Sequence, residues 1–246
     1  MNKLTEFWNK LSLDNPHYVH PMDDLDEKRV HDPLLSSFQD YVDAFGKNEF
    51  NPTNYLTGLL PQPYLGNLQT ADIFILMLNP GFHPIDLYAQ EKHLSYREAI
   101  VSTLRQKCTS HMFLDPKWSW TAGFQWWEKK LRQTVKLIAR DHFEANYALA
   151  LDNVAKRIAS IELVAYPSRS FAGKTDLSSC DVARQFVRTL PSSKTIIVSR
   201  RVKDWDIPER KNTISYNAGQ SRNASFGPNS PGGKAILKFY KENFKD

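Results

Sequence analysis

The chain has 246 residues, 41% hydrophobic and 24% charged, enough apolar material for a core and an ordinary charged surface. No run approaches the roughly 18–20 apolar residues of a membrane span, and residues 1–14 lack a basic-then-apolar targeting pattern, so a cytoplasmic protein that does not enter the membrane is expected. Cys108 and Cys180 are too few for a disulfide framework, and they exclude a four-thiolate cluster or a multi-cysteine zinc site.

Residues 1–50 read as polar and largely helical, with loop signals at Asn15-Pro16 and His20-Pro21. Residues 51–68 are rich in Pro, Gly and Asn and read as irregular chain, so 1–60 is expected to form an N-terminal helical and irregular arm. Residues 73–78 are continuously apolar and stop at Asn79-Pro80-Gly81, the pattern of a strand buried on both faces. Phe124, Trp127, Leu131, Val135 and Ile138 recur at spacings of three and four, which predicts an amphipathic helix over 121–140. A second apolar run, 161–165, ends at Tyr166-Pro167-Ser168. A helix follows over 178–190, with Pro191 just beyond it. Residues 195–198 predict a third strand and 213–216 a fourth. Ser230-Pro231 then opens the last helix. Strands alternating with helices predict one α/β domain over 1–246: a three-layer α/β/α architecture with a central, mainly parallel four-stranded sheet.

Ligands of open α/β sheets bind beyond the carboxyl ends of the strands. That rule selects three loops: Asn79-Pro80-Gly81-Phe82-His83, Tyr166-Pro167-Ser168-Arg169-Ser170 and Asn217-Ala218-Gly219-Gln220-Ser221-Arg222. They offer amides, hydroxyls, arginines, aromatics and a histidine, but no carboxylate. Asp86 is a nearby acid, and Asp72 stands at the wrong end of its strand. A two-carboxylate glycosidase is therefore poorly served, and Ser168 has no evident base and acid for a nucleophilic triad. His17, His20 and His31 lack the spacing of a metal site, so neither metal nor cofactor is expected. Charge adds a further pointer. Residues 1–50 hold five Lys/Arg against ten Asp/Glu, whereas residues 184–246 hold thirteen against five. A basic C-terminal quarter suits a polyanion, although a lysine-rich solvated face has the same composition.

The segment Leu76 to Phe82, LMLNPGF, resembles the first motif of the uracil-DNA glycosylase superfamily. It is closest to the mismatch-specific and single-strand-selective branches, in which a strand runs into Asn-Pro-Gly. The loop from Asn217 to Arg222, NAGQSR, resembles the second motif, one residue shorter and without its proline. The resemblance covers about residues 64–240 and implies a monofunctional DNA glycosylase that flips a nucleotide out of DNA. It implies that Asn79 holds the attacking water, that Gly81 lets backbone approach the base, and that Phe82 stacks on it with His83 nearby. Asn217 is then the donor to the leaving base. Gln220, Ser221 and Arg222 would meet the groove or phosphates, with Arg200 and Arg201 as further phosphate contacts. Uracil-selective relatives carry an amide in the second-strand loop. Here Tyr166, Ser168 and Arg169 stand instead, and they suit a larger or more polar base, including a sugar-decorated cytosine. Phage defence thus stands beside repair as a role. DNA is the expected partner, and a monomer the expected state.

Each residue also has an ordinary reading. Asn-Pro-Gly is common turn chemistry, Phe82 fits a core, and Arg169 fits a surface ion pair. Trp118, Trp120, Trp126 and Trp127 fit core packing, with room for one to stack on bases. A non-catalytic nucleic-acid or nucleotide binding module on the same fold is the alternative function, and a small-nucleoside hydrolase is a third.

Overall fold

The computed structural model describes residues 2–31 and 34–244. The chain forms two compact units, each assembled from three segments. Unit one comprises Met1–Tyr64, Leu78–Lys107 and Glu162–Val187; unit two comprises Leu65–Met77, Cys108–Ile161 and Arg188–Asp246.

The fold is mixed α/β. Strands β1 (Tyr64–Leu65), β2 (Ile73–Met77), β3 (Ile158–Glu162), β4 (Thr195–Val198) and β5 (Thr213–Ser215) form one sheet in the order β1-β3-β2-β4-β5. β2 pairs in parallel with β4, Ile73 opposite Thr195, and β4 pairs in parallel with β5, Ile196 opposite Thr213. Every residue of β2 is buried, as its unbroken apolar sequence requires.

The sheet has five strands where the sequence predicts four. The additional strand, β1, is two buried residues between Pro63 and Gly66, too short to show a period. Gly66 fixes its end. Its φ is +84°, and a Cβ there would lie 2.5 Å from the Ile158 carbonyl oxygen, so no other residue fits without strain. β3 also begins three residues earlier than the pattern predicts. It ends at Glu162 and is buried along its whole length, Ser160 and Glu162 included, so the apolar pattern alone does not place its ends.

In unit two, α10 (Pro231–Asn243) packs on β4 and β5, and α5 (Ala122–His142) packs on α10 and on α6 (Tyr147–Arg157). The predicted stripe of α5 is the buried one: Trp127, Leu131, Val135 and Ile138. Pro231 opens α10 behind the Ser230 cap, and Gly232 lies so close to Tyr216 that a Cβ would meet its hydroxyl at 2.5 Å. Two short helices lie between β4 and α10: α8 (Val202–Trp205) and α9 (Ala218–Asn223). Asp72, ahead of β2, holds Arg157 and Lys194, each at 2.9 Å. That is a structural use for an acid at the amino end of the strand.

Unit one contains α1 (Lys3–Trp8), α2 (Phe38–Gly46), α3 (Pro84–Lys92) and α4 (Leu94–Leu104), and α7 (Ser178–Thr189) begins in it. Its core gathers Leu35, Tyr41, Leu56, Leu59, Phe82 and Leu87. The described residues up to Tyr64 are built into this unit. Leu4, Trp8 and Leu11 are buried, and Arg105 donates to the carbonyls of Trp8 and Leu11, both at 2.9 Å. Among the described residues, no helix is long and apolar enough to cross a membrane.

His111 lies wholly inside unit two, edge-on to Trp127 at 4.7 Å, with Nε2 3.3 Å from the Ser160 hydroxyl. Burial holds its pKa down at about 3. The unfolded histidine takes up a proton near pH 6.5, which the folded one refuses. The associated stability is therefore full above pH 6.5 and is lost as pH falls toward 3, at about 1.4 kcal/mol per pH unit. His111→Gln should lower the acid slope of the unfolding free energy by close to one proton between pH 6 and 4, read from urea titrations. Equal slopes in the two proteins would show that His111 titrates normally in the fold.

Candidate active site

β2 ends at Met77, and Asn79 follows it by two residues. The Asn79 amide is half-buried and held by its nitrogen. Nδ2 donates to the Pro80 carbonyl at 3.0 Å and to the Ser168 hydroxyl oxygen at 3.0 Å. Because Pro80 O can only accept, this contact fixes which end of the amide is which. Both N–H groups are thus engaged. Among the described residues the carbonyl Oδ1 accepts no hydrogen bond.

Ser168 is 2% exposed and tightly held. Its backbone N–H donates to Pro80 O at 3.2 Å, and its hydroxyl donates to Ser170 O at 3.3 Å. The loops after β2 and β3 are therefore stitched together through Asn79, Pro80 and Ser168, all in unit one. Gly81 is exposed, and a Cβ there would meet nothing within 4 Å. The space over the backbone beside Asn79 is open, so the glycine is not demanded by the protein's own packing.

The chain then turns directly into α3. His83 caps this helix: its Nδ1 accepts from Ile85 N–H at 3.2 Å, and its ring is exposed. The Asp86 carboxylate accepts from His83 N–H at 2.8 Å and closes a reciprocal capping box. Burial pushes the Asp86 carboxyl up to about 7, against the pull of that hydrogen bond. Its protonated form therefore stabilises the fold most fully below the ordinary carboxylate range, and that stability fades as pH rises through 7. The sequence marks Asp86 only as a nearby acid; its position three residues after a capping histidine is the signal that it anchors the loop.

Two expected base contacts have other work. Phe82 is 9% exposed and lies in the unit-one core against Tyr41 and Phe50, with ring centroids at 5.6 and 5.8 Å. It is a packing residue in this structure, not an open stacking platform. Tyr166 is fully buried. Its hydroxyl donates to Asp23 Oδ2 at 2.6 Å and accepts from His20 N–H at 3.1 Å. Burial and the Asp23 charge raise its pKa well above that of an ordinary phenol. Asp23 Oδ1 in turn accepts from Ser179 N–H in the first turn of α7 at 2.8 Å, where a helix N-terminus favours negative charge. Tyr166 thus positions the second loop from within. Arg169, by contrast, is exposed and forms no ion pair among the described residues, so it remains open to a ligand. His20 uses both ring nitrogens on backbone, at Phe7 O and Met22 N–H, and burial lowers its pKa.

In unit two, Asn217 stands two residues past β5 and caps α9. Its Oδ1 accepts from Gln220 N–H at 2.9 Å, and Gln220 Oε1 accepts from Asn217 N–H at 3.0 Å. The segment read as an open loop is this capped helical turn. Both amide carbonyls are committed, so Asn217 Nδ2 and Gln220 Nε2 are the groups left for a ligand. Ser221 is half-buried and Arg222 exposed on the same turn. Arg200 and Arg201 follow β4. Arg201 adopts a left-handed conformation, φ +50°, and pairs with Asp204 at 3.3 Å. Arg200 is half-buried, and its Nε lies buried without an acceptor among the described residues.

Tyr166→Phe should lower stability by about 2 kcal/mol, because Asp23 is left buried with an unmatched oxygen. Arg169→Ala should change it by less than about 0.5 kcal/mol, as an unengaged surface residue does. Urea unfolding monitored by circular dichroism separates the two; equal midpoints would contradict the positions assigned to them. No family model matches the chain, and no curated protein or solved structure matches it.

Proposed function

We propose that the protein is a monofunctional DNA glycosylase of the uracil-DNA glycosylase type, which hydrolyses the base–sugar bond of a flipped nucleotide and leaves an abasic site. The observation that carries this reading is the Asn79 amide, with both donors committed, its carbonyl oxygen uncommitted, and open space over Gly81. An amide oxygen is a poor base. It is a good acceptor for a water proton, and an oxocarbenium-like sugar needs a positioned water more than a deprotonated one. In the proposed reaction the C1′–N bond breaks, and the base leaves with the electron pair. Water oxygen, oriented by Asn79 Oδ1, bonds to C1′ and releases its proton to solvent.

Departure of the base as an anion calls for fixed donors. The resemblance assigns that part to Asn217, and its uncommitted Nδ2 has the required donor character. Exposed Arg169, in place of an amide, favours a base larger or more polar than uracil, such as a glucosylated hydroxymethylcytosine. That substrate class would fit defence against phages with modified DNA.

The test is base release from DNA carrying uracil, a mismatch, hydroxymethylcytosine or its glucosylated form, scored as alkali-labile sites. One base should be released. Asn79→Ala should reduce its release by at least about 100-fold, the scale of losing one preorganised polar contact to a transition state, with DNA affinity within a few-fold. Turnover by Asn79→Ala equal to the parent would sink the mechanism. DNA binding without release of any base would favour a binding module on the same fold.

A further inference from the structure

Unit one carries an apolar surface that the reaction above does not use. Among the described residues seven large apolar side chains are exposed, and five of them come from α2, α3 and the first turn of α4: Phe38, Val42, Phe45, Tyr88 and Leu94. Apolar residues scattered singly over a surface are ordinary, whereas a cluster marks an interaction site. On α2, Phe38, Val42 and Phe45 are spaced four and three residues apart and so share one face. Phe38 meets Tyr88 of α3 edge-on, with ring centroids 6.1 Å apart, and Tyr88 meets the His93 ring at 5.5 Å, just before Leu94.

This ridge is held in place from beneath. The adjacent face of α2 buries Tyr41 and Ala44, and the Tyr41 ring packs on Phe50 and Phe82. The Ser37–Asp40 capping box fixes the start of the helix, and Glu91 of α3 accepts from Phe38 N–H at 3.0 Å. Phe45 stays 57% exposed and Leu94 68% exposed, so the fold leaves apolar area in water that a second surface could bury.

The charge around the ridge selects its occupant. α2 carries Asp40 and Asp43 and no basic residue, and Glu49 follows it. Asp40 is committed to the cap. Asp43 and Glu49 are exposed, and among the described residues neither forms an ion pair; Asp43 meets the neutral Gln39 amide at 2.8 Å. Carboxylates at the rim repel nucleic-acid phosphate and anionic lipid alike. Two copies apposed about a twofold axis would set the acidic rim against itself. A positively charged amphipathic segment matches both the ridge and its rim.

We propose that the α2–α3 ridge docks a partner protein through a basic amphipathic helix. The apolar stripe of that helix would cover Phe38, Val42, Phe45 and Tyr88, and its Lys/Arg flank would meet Asp43 and Glu49. Apolar anchors at i, i+3, i+4 and i+7 suit a ridge that itself repeats at four and three. This inference goes beyond the glycosylase reading and does not depend on it.

The test uses the full-length protein and three labelled helical peptides of about 18 residues: a leucine–lysine amphipath, its scrambled isomer, and a leucine–glutamate amphipath. Affinity is read by anisotropy over a salt series. The parent should bind the first peptide at least about 10-fold more tightly than either of the others. Val42→Ser and Phe45→Ser should each weaken that binding about 10-fold, and Asp43→Lys should weaken it and flatten its salt dependence. Equal affinity for the scrambled or acidic peptide would overturn the site. So would serine variants whose urea unfolding and peptide affinity both match the parent. Sedimentation without peptide, and with vesicles of phosphatidylserine and phosphatidylcholine, tests the other occupants. Self-association lost in Phe45→Ser would overturn the partner helix in favour of a second copy. Vesicle binding lost in Phe45→Ser would overturn it in favour of a lipid surface.

Discussion

The hydrogen bond from Tyr166 to Asp23, 2.6 Å long and buried, organises unit one. Asp23 belongs to the N-terminal segment, Tyr166 to the loop after β3, and the other oxygen of Asp23 holds the first turn of α7. A carboxylate can be kept 8% exposed only when its lone pairs are matched. Here they are matched by a phenol and a helix N-terminus. With Tyr166 fixed, Ser168 two residues later is fixed as well, and Ser168 orients Asn79. The rigidity of the candidate water-binding amide thus traces back to an acid far away in sequence. This is the usual division between groups that meet a ligand and groups that hold them in place.

Several elements were legible because their sequence patterns coincide with their burial. β2 and β4 are unbroken apolar runs, and α5 repeats apolar residues at the helical period, so pattern and structure agree to within a few residues. β1 was not legible, since two residues carry no period and the close approach of Gly66 to Ile158 exists only after folding. α9 was hidden for a different reason. Asn, Gly and Ser lead a reader to a turn, and only the reciprocal Asn217–Gln220 bonds make it a capped helix.

The site was legible in the same uneven way. Asn79 could be located because a strand ending in Asn-Pro-Gly puts a polar side chain at a sheet edge. Phe82 and Tyr166 were assigned by their position in loops, yet both side chains fold inward, and loop membership does not decide side-chain direction. Asp23 and Lys130 could not have been chosen. The partner of Asp23 lies 143 residues away at Tyr166, and Lys130 reaches the Asn223 carbonyl 93 residues away.

The two asparagines present opposite chemistry, and the backbone dictates which. Asn79 gives its N–H groups to Pro80 and Ser168 and leaves an acceptor. Asn217 gives its oxygen to the α9 cap and leaves donors. Neither orientation is arbitrary, because a carbonyl can only accept and a backbone N–H can only donate. Asn79, in unit one, thus offers an acceptor, and Asn217, in unit two, offers donors. An asparagine free to rotate would serve either role poorly, since each encounter would require the amide to be ordered. Preorganisation, in each unit taken by itself, is therefore what turns an ordinary amide into a committed acceptor or a committed donor.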